Sequence, residues 1–279
     1  METNSIYRMY DVHMHIIPAV DDGSWSIEMS YSMLYMAYRQ GIKKIIATPH
    51  SEAFDNWSEL VQPAFQELQQ MAKEKLPEIE LYQGCEIYCR EERMNDILRK
   101  LDTGIYPSMN GTKYVLVEFA FRTTTKEILF CVSELQKAGW IPIIAHAERY
   151  KYLCADESCL NELKEKGCFI QINIDSVYDE YDERIKQNAL KLLEQKKADF
   201  LGTDAHRMNN RPPNAGNGLK FLYSQFDIEY IDDIVFKNAE KLLTFFRCSG
   251  GKKGLSFFSY PSSSGSNPAK KTQRVWKNL

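Results

Sequence analysis

The sequence has no apolar run near the roughly 18 residues that a membrane-spanning helix needs, so insertion into a bilayer is not expected. Its opening, Met1-Glu2-Thr3-Asn4-Ser5, lacks the basic segment and apolar stretch of a secretion signal. The seven cysteines are odd in number and follow no framework spacing, which points to reduced thiols and a cytoplasmic setting. None of Cys85, Cys89, Cys131, Cys154, Cys159, Cys168 and Cys248 has an arginine six positions later, so the loop of thiol-dependent phosphatases is missing. Neither a G-x-x-x-x-G-K-[ST] loop nor a G-x-S-x-G elbow occurs, which removes P-loop nucleotide hydrolysis and serine-hydrolase chemistry.

What is present suits a globular protein. The 279 residues are 44% hydrophobic and 26% charged, which argues against a disordered chain. The net charge of −3 is unevenly spread. Residues 249–279 carry six cations and no acid, so the remainder stands at −9. An acidic body argues against a nucleic-acid groove and is compatible with a carboxylate-rich metal site. The Ser/Pro/Gly-rich stretch 249–279 reads as a flexible tail, or as a docking segment for an acidic partner or membrane surface.

Short β-branched runs at 10–14, 44–47, 80–82, 114–119, 141–145, 169–174 and 200–202 read as strands. Several are apolar throughout, as parallel strands buried on both faces are. Helical patterns separate them at 27–40, 58–75, 90–101, 125–138, 158–166 and 180–195, with Gly41, Gly139 and Gly167 as stops. The first helix should bury Met29, Met33, Met36 and Ala37. A last helical run at 238–246 closes the body. Such alternation implies a parallel α/β sheet, open or closed into a barrel.

All five histidines, His13, His15, His50, His146 and His206, fall at or just after strand ends. In a parallel α/β protein those ends share one face, where active sites form. His13 and His15 are two apart on a strand and point to the same side. Asp22, Glu86, Glu118 and Asp204 occupy comparable positions. Each has a plainer reading: a packed core histidine, a lysine-paired Glu118, a solvated loop acid at Asp22 or Glu86. Together they are better explained by a multinuclear metal site of two or three ions, with Mn, Fe, Zn or Co suiting the ligands. Arg149 and Arg211 lie close to His146 and His206 in sequence, and a guanidinium fork binds phosphate. Glu148 could instead pair with one of these arginines. A phosphoester hydrolase using metal-activated hydroxide follows.

The segments Asp11-Val12-His13-Met14-His15-Ile16-Ile17-Pro18 and Asp21-Asp22-Gly23 resemble the opening motif of the polymerase-and-histidinol-phosphatase (PHP) superfamily. Within it the chain is similar to the bacterial capsule-associated protein-tyrosine phosphatases, through Ala47-Thr48-Pro49-His50, Gly84-Cys85-Glu86-Ile87-Tyr88, Val117-Glu118-Phe119, Ile144-Ala145-His146-Ala147-Glu148-Arg149-Tyr150, Thr203-Asp204-Ala205-His206 and Arg211-Pro212-Pro213. The resemblance implies a distorted (β/α)7 barrel over 9–248, with a short extension at 1–8. It implies a three-metal, manganese-dependent centre held by His13, His15, Asp22, His50, Glu86, Glu118, His146, Asp204 and His206. It makes Arg149 and Arg211 the phosphate-binding residues. Any general acid is optional, because phenol has a pKa near 10, and His206 could supply it. The implied substrate is the phosphotyrosine tail of an autophosphorylating bacterial tyrosine kinase that controls capsule or exopolysaccharide assembly. Self-association is compatible with the sequence. The rival readings are a small-molecule phosphatase of the histidinol-phosphate type, a nuclease, and a metal-stabilised kinase-binding module without turnover.

Overall fold

The computed structural model describes residues 7–178 and 182–244. The expected tail at 249–279, most of the extension at 1–8, the end of the run at 238–246 and Cys248 lie outside them. Eight strands form: β1 (Met9–Met14), β2 (Ile42–Ala47), β3 (Glu80–Gln83), β4 (Glu86–Tyr88), β5 (Tyr114–Glu118), β6 (Ile141–Ile144), β7 (Phe169–Asn173) and β8 (Phe200–Gly202). The helices are α1 (Ile27–Arg39), α2 (Ser51–Asn56), α3 (Ser58–Lys75), α4 (Met94–Asp102), α5 (Thr125–Lys137), α6 (Lys151–Ala155), α7 (Glu157–Glu165), α8 (Glu183–Glu194), α9 (Gly216–Gln225), α10 (Ile228–Asp232) and α11 (Glu240–Leu243). A π-helical turn, Asp233–Lys237, follows α10.

α1 shows why these residues make these elements. The Ser26 hydroxyl caps it, accepting from the Met29 amide at 3.2 Å. Gly41, at φ +91°, ends it in a backbone region that costs glycine nothing. Its buried stripe is Ser30, Met33, Leu34, Ala37 and Tyr38, a clean i, i+3, i+4, i+7, i+8 set. Met29 and Met36, expected inside, lie at the boundary instead. Leu34 and Tyr38 take the covered positions because the helix is rotated toward them.

All pairings are parallel, in the orders β1-β2-β3 and β4-β5-β6-β7-β8. The two sheets touch at two places, past the end of β1 and past the end of β2. A parallel bridge joins Met14 to Ala205 and another joins His50 to Glu86. The His15 amide donates to the Ala205 carbonyl at 2.9 Å, and the Glu86 amide to that of Pro49 at 3.0 Å. The strand ends that carry the histidines are thereby brought side by side. β4 is the one strand not expected, since three residues behind Gly84 and Cys85 show no readable alternation. The short helices α2, α6 and α10 escape the pattern for the same reason. Among the described residues no helix is long and apolar enough to cross a membrane.

Candidate metal centre

His13, on β1, and His15, just past its end, point into one centre with their Nε2 atoms 3.2 Å apart. The β1–β2 register slips by a residue between Asp11 and Met14, and Asp11, His13 and His15 are all fully buried. Glu86 opens β4 and Glu118 closes β5. His50, His146, Asp204 and His206 sit on the chain just past β2, β6 and β8. Three site residues hold left-handed backbone: His146 at φ +33°, Asp204 at +50° and Arg211 at +56°. Such conformations cost about a kcal/mol or more in a non-glycine residue and cluster at functional sites.

Glu86 is the hub. Its Oε1 lies 3.2 Å from His13 Nε2 and 2.9 Å from His146 Nε2. Its Oε2 lies 3.2 Å from His15 Nε2 and 3.0 Å from His50 Nδ1. His50 Nδ1 is also 3.2 Å from Glu118 Oε1. Asp22 Oδ1 stands 3.4 Å from both His50 Nε2 and His206 Nε2. Asp204 Oδ1 lies 3.6 Å from His13 Nε2 and 3.5 Å from His15 Nε2. Three overlapping groups have ligand spacing: His15, Asp22, His50 and His206; His13, His15 and Glu86; His50, Glu86 and Glu118. His13, His15, Glu86 and Asp204 form a closed floor, and Asp22, about half exposed, marks the open side.

The ring nitrogens show that the set fits cations. His13 Nδ1 meets Gln171 Oε1 at 3.1 Å, His15 Nδ1 meets Asp21 Oδ2 at 2.8 Å, and His206 Nδ1 meets the Asp204 carbonyl at 2.8 Å. Each partner is an oxygen that only accepts, so each Nδ1 carries the proton. That leaves three Nε2 lone pairs aimed into the centre. Those of His13 and His15 face each other at 3.2 Å, and His206 Nε2 is buried with no hydrogen-bond partner. Lone pairs packed against one another and against carboxylates call for positive charge between them.

The electrostatics agree. Burial opposes charge on Glu86, but the surrounding His13, His146 and His15 overcome it and hold the carboxyl well below its usual range. Burial likewise opposes charge on Asp204, and His13, Arg149 and Arg211 outweigh it. Burial and His50 work against a proton on His15, yet Asp21 and Glu86 raise it to about 9. Burial and His15 push His206 down to about 4. Protons on the basic imidazoles balance the acids, and a divalent cation competes with them for the same lone pairs.

Both arginines reach the centre through one atom. Arg149 Nη1 and Arg211 Nη1 donate to Asp204 Oδ2 at 3.0 and 3.1 Å. Glu148 is not their hydrogen-bond partner. It is fully buried and accepts from the Asn173 amide and the Ser176 hydroxyl. Among the described residues Glu118 pairs with no lysine or arginine, only with His50 and His146.

The structure therefore gathers all nine expected ligand positions and both arginines. It adds residues that sequence reasoning passed over. Asp21, rather than its neighbour Asp22, holds His15. Gln171 bonds His13, the His146 amide and Asn173, and Asn173 Nδ2 reaches Asp204 Oδ2 at 3.0 Å. Their signal was available: Gln171 and Asn173 are polar at alternate positions of an otherwise apolar strand. The Tyr150 hydroxyl, 3.3 Å from His146 Nδ1, steadies the fourth ring. Two glycines allow the close approach. A Cβ on Gly23 would lie 2.3 Å from the His15 carbonyl oxygen, and one on Gly202 would lie 2.7 Å from His13 Cβ.

Known proteins share this arrangement of chain. The tyrosine-protein phosphatase YwqE of Bacillus subtilis is 34% identical over 238 residues, covering 84% of this chain and 91% of YwqE. CpsB of Streptococcus pneumoniae, also a tyrosine-protein phosphatase, is 30% identical over 242 residues, covering 84% and 98%. The crystal structures of YwqE from Bacillus subtilis and CpsB from Streptococcus pneumoniae, described as unique metal-dependent tyrosine phosphatases, include a chain that superposes with a TM-score of 0.75. It is 32% identical and covers 85% of this chain and 96% of its own. The family model for capsular polysaccharide synthesis, CpsB/CapC, matches residues 9–244, and the chain belongs to that family.

Proposed function

We propose that the chain is a metal-dependent protein-tyrosine phosphatase acting on phosphotyrosine of an autophosphorylating bacterial tyrosine kinase in capsular or exopolysaccharide synthesis. The observation that carries this reading is the set of three imidazoles, His13, His15 and His206, whose Nδ1 protons are committed and whose Nε2 atoms converge with Glu86, Asp22 and Asp204. Similarity to named tyrosine phosphatases over nearly the whole body supports it. The catalytic body is residues 9–248. Its two sheets, bridged past the ends of β1 and β2, are read as one closed, distorted (β/α)7 barrel in which β3 and β4 act as a single stave.

The ligands would be His13, His15, Asp22, His50, Glu86, Glu118, His146, Asp204 and His206, holding two or three ions. Mixed imidazole and carboxylate donors suit Mn²⁺, with Fe, Zn or Co as substitutes. When bound, such ions acidify coordinated water and neutralise phosphate charge. The chain's own groups do the rest. Arg149 and Arg211 each use Nη1 on Asp204, and their remaining N–H donors can hold the phosphoryl oxygens as charge spreads in the transition state. Neutral His206 suits ligation better than proton donation, and a phenol leaves with little protonation. Substrate enters over Asp22, His50 and Glu118, the more open side. Six free, buried cysteines among the described residues support a reducing, cytoplasmic setting.

The test is a substrate panel with Mn²⁺: phosphotyrosine peptide, histidinol phosphate and single-stranded DNA. Preferential turnover of the peptide supports the reading. Preference for histidinol phosphate, or no turnover at all, contradicts it.

A further inference from the structure

Beside the centre, the segments following three neighbouring strands build a second concavity of about 320 Å³. Phe121 and Arg122 come from the segment after β5, Arg149, Lys151 and Tyr152 from that after β6, and Arg184 from the start of α8 after β7. The volume lies at the lower end of the range for ligand sites, roughly 300–1,000 Å³. Four of these six residues are cations and none is an acid, on a body whose net charge outside 249–279 is −9. Arg184 has a partner, with Asp182 at 3.3 Å across an exposed surface. Among the described residues neither Arg122 nor Lys151 has a carboxylate within ion-pair distance. Phe121 and Tyr152 are 59% and 47% exposed, large aromatic surface that the core does not use. Arg149 joins the two regions, since it lines this groove and also donates to Asp204.

We propose that the groove binds the residues flanking the target phosphotyrosine and selects flanks rich in aspartate and glutamate. The inference rests on the phosphatase reading of the neighbouring centre and narrows it to acidic peptides. Arg122 and Lys151 supply charge, Arg184 adds to it at the rim, and Phe121 and Tyr152 offer faces for the peptide backbone and side chains. Partly exposed ion pairs are individually weak, so two or three together give a preference of roughly tenfold, about 1.4 kcal/mol. The contribution is screened by salt.

The test uses the full chain loaded with Mn²⁺ and phosphotyrosine peptides that differ only in flank, Asp/Glu against Asn/Gln. Turnover is measured on these peptides. Binding is measured separately by fluorescence anisotropy on versions carrying a non-hydrolysable phosphonate. The expected result is a roughly tenfold preference for the acidic flank in both KM and Kd. That preference should disappear in Arg122→Glu/Lys151→Glu, weaken in Arg122→Gln and fall with added salt. Thermal melts establish that the variants are folded. Equal binding of both flanks by the unaltered protein overturns the proposal, as does a preference that survives the double charge reversal. If no peptide is hydrolysed but the anisotropy preference holds, the assigned reaction fails and the groove stands.

Discussion

The interior around Leu34, Ile45 and Leu68 and the interior around His13, His15 and Glu86 are equally closed to solvent. The first is complete in itself. Its side chains are apolar, they need no partners beyond van der Waals contact, and the sequence period that buries them also forms their helices and strands. The second is incomplete. It packs four imidazoles around one buried carboxylate and holds His146, Asp204 and Arg211 in strained backbone. The apolar interior holds the fold, and the polar one draws on that stability to keep ligand lone pairs in mutual opposition. Removing a residue from each region should therefore have opposite consequences.

The largest effect is expected in the polar interior. His13→Ala should lower phosphotyrosine turnover on the order of 10³-fold or more, a loss of about 4 kcal/mol in transition-state stabilisation. The folded state should survive, because buried lone-pair crowding is relieved. Steady-state kinetics in Mn²⁺ together with a thermal melt checks both halves. Next, Leu34→Ala should cost about 2–5 kcal/mol of stability while turnover per folded molecule is kept. Denaturant unfolding paired with active-site titration distinguishes this from the first case.

Much of this contrast is legible in the sequence. The histidines stand out because each ends an apolar, β-branched run, and parallel strands put such ends on one side. Glu118 is readable for the same reason, as a lone acid closing Tyr114-Val115-Leu116-Val117. What stays hidden are contacts between residues far apart in the chain. Nothing local tells that Arg149 and Arg211 share one oxygen of Asp204, or that His13 leans on Gln171. Nor does composition separate Asp21 from Asp22. The turn at Gly23 decides it, sending one carboxylate inward to His15 and the other to the open side. α9 is obscured by Gly216 and Gly218 near its start, although Gly218 lies against Ile174 so closely that a Cβ would clash.

Two smaller effects sharpen the comparison within the polar region. Asp21→Asn keeps the shape but weakens the hold on His15 Nδ1, so metal affinity should fall about 10–100-fold, read by competition with a chelating dye. Arg211→Ala removes one of two guanidinium groups beside Asp204 and should lower kcat/KM for phosphotyrosine peptide by roughly tenfold, far less than His13→Ala. If Arg211→Ala instead matched His13→Ala in severity, the division between cation ligands and phosphate holders would fail.

The most direct test of the central claim is metal content measured alongside activity, before and after exhaustive chelation. The purified chain should carry two or three divalent ions, lose phosphotyrosine hydrolysis when they are stripped, and regain it with Mn²⁺. Full hydrolysis by metal-free protein would contradict the account.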